Sequence, residues 1–248
     1  MTEIFGISFY DGNINEFIKD MDDVLTFQQK KFVVTANPEI IVNTQKNEDY
    51  GKVIKEADFI IPDGIGVILA SRILGHRLSE RITGVDTMFR LLEKANQKNY
   101  SVYLLGATPL VVDKAVETIR SMYSNVTISG YHNGYNFQDT KVTSAIRDLK
   151  PDIIFIALGA PLQEKWIAKH IGQFEKGLFM GVGGSFDVLS GTVKRAPYLM
   201  RACHLEWFYR LIIKKGKRKK VIKNLLSFVK LTLGEWGACP VLFYRKGK

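Results

Sequence analysis

The chain has 248 residues, 46% of them hydrophobic and 24% charged, with 35 Lys/Arg against 25 Asp/Glu and a formal net charge of +10. This is the composition of a globular protein able to bury a core as one large domain or one domain with an appendage, and no internal repeat or low-complexity linker interrupts it. Two cysteines, Cys203 and Cys239, exclude a disulfide framework and a cysteine metal cluster and fit a reducing cytoplasm, while Met1-Thr-Glu-Ile-Phe5 lacks the pattern of a signal peptide.

The predicted elements alternate along the chain. Ile4–Ser8 reads as a short apolar strand, and Asn13–Gln29 as a helix with Ile14, Phe17, Ile18, Met21, Val24 and Leu25 on one side. Phe32–Ala36 is β-branched and aromatic, hence a strand. Asn37-Pro38 caps a helix that continues to about Lys46. The strand Phe59-Ile-Ile61 runs into Pro62-Asp63-Gly64-Ile-Gly66 and a helix to Leu74, and Val85–Gln97 is again helical. Ser101–Leu105 is a strand ending at Gly106, and Pro109–Tyr123 a helix. Val126–Ser129 and Ile153–Leu158 are strands with a helix between them, and Gly177–Val182 is the last strand, ending in Gly183-Gly184-Ser185. Strands separated by helices predict an α/β fold, a Rossmann-like and mostly parallel sheet with helices on both faces, over residues 1–194.

In such sheets ligands bind beyond the carboxyl ends of the strands. Several candidate groups fall there. Gly159-Ala-Pro161 closes the buried strand 153–158 and starts a helix with Gln163, Glu164 and Trp166 in its first turn. Thr35 and Asn37 end one strand, although Asn37 as a plain helix cap explains that segment equally well. Asp63 is either a cap or a carboxylate able to take a proton from an attacking hydroxyl. Gly64 lets the backbone approach a ligand closely, and Gly106 ends a neighbouring strand. Arg77 and Arg81 lie in a loop, where an arginine over the crevice would stabilise a departing diphosphate. Gly181-Val-Gly-Gly-Ser-Phe-Asp187 suits a phosphate or ribose but lacks the lysine of a nucleotide-hydrolysing loop. No two of the four histidines sit at metal-ligand spacing, and Asp20-Met-Asp22 reads as solvated helix surface. Tyr131-His-Asn-Gly-Tyr135 reads as a turn.

The region 195–248 differs. It holds 14 Lys/Arg and 2 Asp/Glu, a balance of +12, against −2 for the preceding 194 residues. Val221, Ile222, Leu225, Leu226, Phe228, Val229 and Leu233 share one helical arc, with Lys219, Lys220, Lys223 and Lys230 opposite. This predicts a basic amphipathic helical C-terminal appendage that lies on an anionic membrane surface, with Trp207, Phe208, Tyr209, Trp236, Phe243 and Tyr244 at headgroup level. Charge and Pro240 interrupt every window of the ~20 residues that a membrane span needs.

Thr35-Ala-Asn-Pro-Glu39, Pro62-Asp-Gly-Ile-Gly66, Arg81-Ile-Thr-Gly84, Tyr103-Leu-Leu-Gly-Ala107, Gly130-Tyr-His-Asn-Gly-Tyr135, Leu158-Gly-Ala-Pro-Leu-Gln-Glu-Lys-Trp166 and Gly181–Asp187 occur in order, followed by Lys194-Arg-Ala-Pro197 and Glu206-Trp-Phe-Tyr-Arg210. Together they resemble the WecG/TagA/CpsF family, glycosyltransferase family 26, from about Ile4 to Arg210. The resemblance implies an inverting transferase that moves a sugar from a UDP-sugar donor to a lipid-diphosphate-linked acceptor without a metal or other cofactor. In the teichoic-acid branch the donor is UDP-N-acetylmannosamine and the acceptor is N-acetylglucosamine on undecaprenyl diphosphate. By motif, Asp63 matches the general base, Arg81 a residue near the diphosphate, and Thr35, Asn37 and Gln163 polar pocket residues. Gly183, Gly184 and Asp187 fall to the nucleotide half, and Arg201 or Arg210 would add charge at the diphosphate. Leu162 departs from the polar or basic residue of many relatives.

The expected setting is cytoplasmic, peripheral on the inner face of the cell membrane. A capsule or exopolysaccharide transferase using another UDP-sugar is the nearest alternative. A nucleic-acid-binding protein, suggested by the charge of the tail, is disfavoured by its continuous apolar face. A non-catalytic UDP-sugar-binding protein fits less well with Asp63, Arg81 and Gln163 together. A homo-oligomer is compatible with the sequence.

Overall fold

The computed structural model describes residues 1–213 and 218–238, apart from the side chains of 210–213, 218, 220 and 238. Chain direction and alternation agree with the expected fold. Strands β3 (Lys30–Ala36), β4 (Phe59–Pro62), β5 (Ser101–Gly106), β6 (Thr127–His132), β7 (Ile153–Ala157) and β8 (Gly177–Gly181) form one sheet in the order β4-β3-β8-β7-β5-β6. Every pairing in it is parallel. Side chains alternate between two cores, as the pleat requires. Phe32, Val34, Tyr103, Leu105, Ile154, Ile156 and Phe179 point to one layer, and Val33, Val102, Leu104, Ile153, Phe155, Leu178 and Met180 to the other.

The second layer is covered by α1 (Ile14–Thr26), α5 (Gly84–Lys98), α6 (Pro109–Met122) and the short α9 (Ser185–Leu189). The first is covered by α2 (Pro38–Lys46), α3 (Glu48–Lys55), α4 (Ile65–Ile73), α7 (Asp139–Leu149) and α8 (Leu162–His170). The chain then forms α10 (Tyr198–Ala202), α11 (Glu206–Ile213) and α12 (Arg218–Ala238).

Three local departures have simple causes. The single strand expected at Ile4–Ser8 is a hairpin of β1 (Thr2–Ile4) and β2 (Ile7–Phe9). Phe5 and Gly6 both take positive φ, 56° and 67°, as a two-residue hairpin turn requires. Helix α3 was not expected; Asn47 ends α2 and its side chain caps α3 at Tyr50 N, 2.8 Å. Asp20 and Asp22, read as solvated, are partnered: Tyr10 Oη donates to Asp20 at 2.7 Å, and Asp22 pairs with Lys94 and Lys98.

The apolar arc of α12 is divided. Phe228 and Thr232 are buried, and Phe228 joins the first core with its ring 5.6 Å from that of Phe5. Ile222, Leu226, Val229 and Leu233 stay exposed on the outer side. The expected aromatic groups Phe243 and Tyr244 lie outside the described residues. Phe228→Ala should therefore cost about 3–5 kcal/mol in denaturant unfolding, whereas Leu226→Ala should stay within about 0.5 kcal/mol of the parent. Equal effects of the two substitutions would detach α12 from the core.

Candidate functional site

The ends of β3, β4 and β8 meet the start of α5. Asp63 N–H donates to Ala36 O at 2.9 Å, and Ile82 N–H to Pro62 O at 3.0 Å, which brings the loop before α5 back over the strand ends. Gly84 N–H then donates to Asp63 Oδ2 at 3.2 Å. Helix α4 starts after Gly64, whose φ is 125°, and no side chain caps it. Asp63 is thus a carboxylate oriented by the start of α5. Asn37 fills both roles expected of it. Its Oδ1 accepts from Glu39 N and Ile40 N at 2.9 and 3.1 Å, and it lines a cavity of about 400 Å³. Asp63, Gly64 and Arg81 line the same cavity, and α11 and α12 close it from above.

Arg81 is held by a chain of ion pairs. Its Nη1 lies 3.3 Å from Glu206 Oε2, and the other oxygen of Glu206 lies 3.4 Å from Arg195 Nε. Arg195 Nη2 reaches Asp86 Oδ1 at 2.6 Å, and Thr83 Oγ1 donates to Asp86 Oδ2. Burial pushes the Asp86 carboxyl up, but the Thr83 and Arg195 hydrogen bonds and the charges of Arg195 and Arg81 outweigh it and hold the group below its usual range. Glu206 is 7% exposed. Arg77 is exposed in the same loop.

Gln163 and Glu164 do not face the crevice as expected; they are 2% and 0% exposed, and the exposed residue of that turn is Leu162. Gln163 Oε1 accepts from Gly159 N–H and Gly183 N–H, both at 3.1 Å, and so ties the loops after β7 and β8 together. Its Nε2 donates to Glu164 Oε1 at 2.7 Å, and Tyr50 Oη donates to Glu164 Oε2 at 3.0 Å. Gly181 admits this arrangement because a Cβ there would sit 2.7 Å from Gln163 Nε2. Thr35, also buried, donates from Oγ1 to Gly181 O at 3.0 Å and joins β3 to β8. At Gly106, φ is 127° and a Cβ would lie 2.4 Å from the Ala157 carbonyl carbon, so close packing of β5 on β7 explains that glycine.

Gly183, Gly184 and Asp187 lie at the end of β8, beyond the Gln163 bracket and outside the lining of the cavity. Arg201, in α10, also lies outside it, with its guanidinium 5.9 Å from the Tyr198 ring; the Arg210 side chain falls outside the described residues. Sequence reasoning quoted Glu206 within a motif but gave it no role, and it passed over Tyr50, which lies 114 residues from its partner. Among the described residues no three His, Cys, Asp or Glu side chains converge as a metal-ligand set.

The chain matches the Glycosyl transferase WecG/TagA/CpsF family over residues 2–238. A relative from Bacillus subtilis (strain 168), named N-acetylglucosaminyldiphosphoundecaprenol N-acetyl-beta-D-mannosaminyltransferase, is 41% identical over 220 residues, 88% of this chain and 86% of its own. Proteins of the same name from Bacillus spizizenii and Staphylococcus aureus (strain NCTC 8325 / PS 47) are 39% and 37% identical. The first alignment covers 87% of this chain and 84% of the relative, and the second 92% and 90%.

Burial raises the Glu164 carboxyl above its ordinary value of 4.5, against the lowering effect of its hydrogen bonds from Gln163, its own backbone and Tyr50. A group raised in the folded state contributes stability below its unfolded value and loses it as pH rises through its folded value. Thermal unfolding of Glu164→Gln should therefore gain on the parent as pH climbs from 4.5 towards neutrality. A parent that gains on the variant over that window contradicts the assignment.

Proposed function

The chain belongs to the glycosyl transferase WecG/TagA/CpsF family, and we propose that it transfers N-acetylmannosamine from UDP-N-acetylmannosamine to N-acetylglucosamine on undecaprenyl diphosphate, with inversion, in teichoic-acid synthesis. The observation that carries the reading is the Asp63 carboxylate, oriented by Gly84 N–H and sharing a cavity with Arg81 and the start of α4. The names borne by the relatives supply the sugars and the lipid.

Inversion needs one in-line displacement. The acceptor hydroxyl attacks the anomeric carbon opposite the UDP, and Asp63 takes its proton. The new carbon–oxygen bond forms as the bond to the UDP phosphate breaks, and the electron pair leaves with UDP. Gly84 N–H holds the Asp63 carboxylate in place for this. Arg81 and the helix N-terminus of α4 take the charge of the diphosphate. Arg201 and Arg210, from the C-terminal segment, add positive charge for the diphosphate. Gln163 and Thr35 act as positioning residues that hold the strand ends, and Gly183, Gly184 and Asp187 face the nucleoside. No metal is required, since the arginines and helix amides take the role a cation would fill.

Residues 1–194 form the transferase domain and 195–248 the appendage. No helix among the described residues is long and apolar enough to cross a membrane. The appendage docks peripherally on the cytoplasmic leaflet. Ile222, Leu226, Val229 and Leu233 enter the interface, and the exposed Lys219, Lys223 and Lys230 meet anionic headgroups.

Asp63→Asn should fold normally and lose about 10²–10⁴-fold in turnover, read as acceptor-dependent UDP release; an undiminished rate removes the base assignment. Turnover should survive a chelator, and loss with rescue by manganese overturns the metal-free reading. Reversing Lys219, Lys223 and Lys230 together to Glu should abolish flotation with anionic vesicles while leaving the thermal unfolding midpoint in place. Undiminished flotation would place the docking surface elsewhere.

A further inference from the structure

We propose that the cavity contains a hydrocarbon subsite, a wall of α4, α11 and α12 that receives the start of the acceptor's polyprenyl chain and leads it to the outer face of α12. The proposal rests on the lipid-diphosphate reading of the acceptor.

The cavity is two-sided. Asn37, Asp63 and Arg81 give it a polar floor. The same cavity is lined by Ile65 and Leu69 from α4, Trp207 from α11, and Val221 and Leu225 from α12, with Glu206 and Asn224 as the polar residues of those last two helices. A hydrated sugar and its phosphates have no use for such a wall. An apolar wall beside a few convergent polar groups is the make-up of a ligand site. Leu69 is 48% exposed and Trp207 41%.

The wall continues outward. At about 100° per residue, Val221 and Leu225 adjoin Ile222 and Val229 on the surface of α12. Ile222 and Leu226 are exposed, so the apolar track passes from the cavity to the outer stripe along one helix. Lys219, Lys223 and Lys230 share the outer surface with Ile222 and Leu226, and at about 100° per residue they fall on the side of these residues away from Val221 and Leu225. One end of the track therefore lies at the arginine that meets the diphosphate and the other at the surface that meets the bilayer. A chain bonded to that diphosphate has to leave the cavity somewhere, and this is the apolar exit it offers. The arrangement selects for an acceptor whose phosphate bears an aliphatic chain.

The test uses the full chain without membranes or micelles, and N-acetylglucosamine diphosphate carrying methyl, prenyl, geranyl or farnesyl groups. Full burial of a methylene corresponds to roughly fourfold in affinity. The acceptor KM should fall at least about tenfold from methyl to geranyl, where partial burial is allowed for, and then level off once the wall is covered. The donor KM should stay constant across the series. Leu69→Ser should flatten the dependence by raising KM for the longer acceptors. Leu69→Trp, which fills the wall without removing packing, should penalise geranyl more than methyl. Met122→Ser, an exposed change at the end of α6, should leave the series as in the parent. Turnover with a KM independent of chain length overturns the subsite, as does an unaltered series in both Leu69 variants. Absence of turnover with every acceptor, persisting when anionic vesicles are added, overturns the transferase reading itself, and the subsite with it.

Discussion

The cavity exists because a buried glutamate is held between two arginines. Glu206 begins α11 and is closed off from water, yet its oxygens reach Arg81 and Arg195, and Arg195 continues to Asp86. A charge taken out of water must be paired, and breaking a buried pair on one side costs about 3–5 kcal/mol because it strands the other partner. That constraint fixes where α11 starts. It thereby fixes where Trp207 sits and where α12 can return across α2 and α4. Without it the polar strand ends would open to solvent and the cavity would lose its upper wall.

Floor and roof are held by different forces. The floor is tied by short hydrogen bonds between strand ends, through Thr35, Gln163 and the amides of Gly159 and Gly183. Such bonds are directional, and in a dry interior they leave little freedom. The roof is held by ion pairs and by apolar contact around Phe228. The four charges Asp86, Arg195, Glu206 and Arg81 sum to zero. On the proposed reading, a diphosphate arriving at Arg81 competes with Glu206 for the same guanidinium, which links entry of ligand to attachment of the roof. By reciprocity, whatever loosens Glu206 favours the anion by the same free energy.

Much of this was legible in the sequence, and the parts that were not share a cause. Alternating strands and helices, the cap at Asn37 and the strand-end position of Asp63 follow from local pattern. The inward turn of Gln163 and Glu164 does not. Two polar residues at a helix start read as crevice-facing, and only Tyr50, Gly159 and Gly183 show that their hydrogen bonds are satisfied inside. The hairpin at Phe5-Gly6 hid within an apolar run because a turn with positive φ at a phenylalanine is uncommon. Phe228 illustrates the same limit. Helical periodicity tells which residues avoid water and is silent on whether protein or lipid covers them.

That last ambiguity has a physical resolution in α12. Its arc is wide enough to serve two surfaces, one half packed on α2 and the other left outside. A helix serving only a membrane would gain nothing from burying Phe228, and one serving only the core would not leave Ile222, Leu226, Val229 and Leu233 exposed beside a row of lysines. Because both halves belong to one rigid element, any force on the outer stripe is transmitted to Val221 and Leu225 on the cavity wall. A bilayer that draws in the stripe also sets the position of the wall. On the proposed reading, the surface where the acceptor resides is then the one that shapes the site, so that geometry for the lipid substrate is completed where that substrate is found.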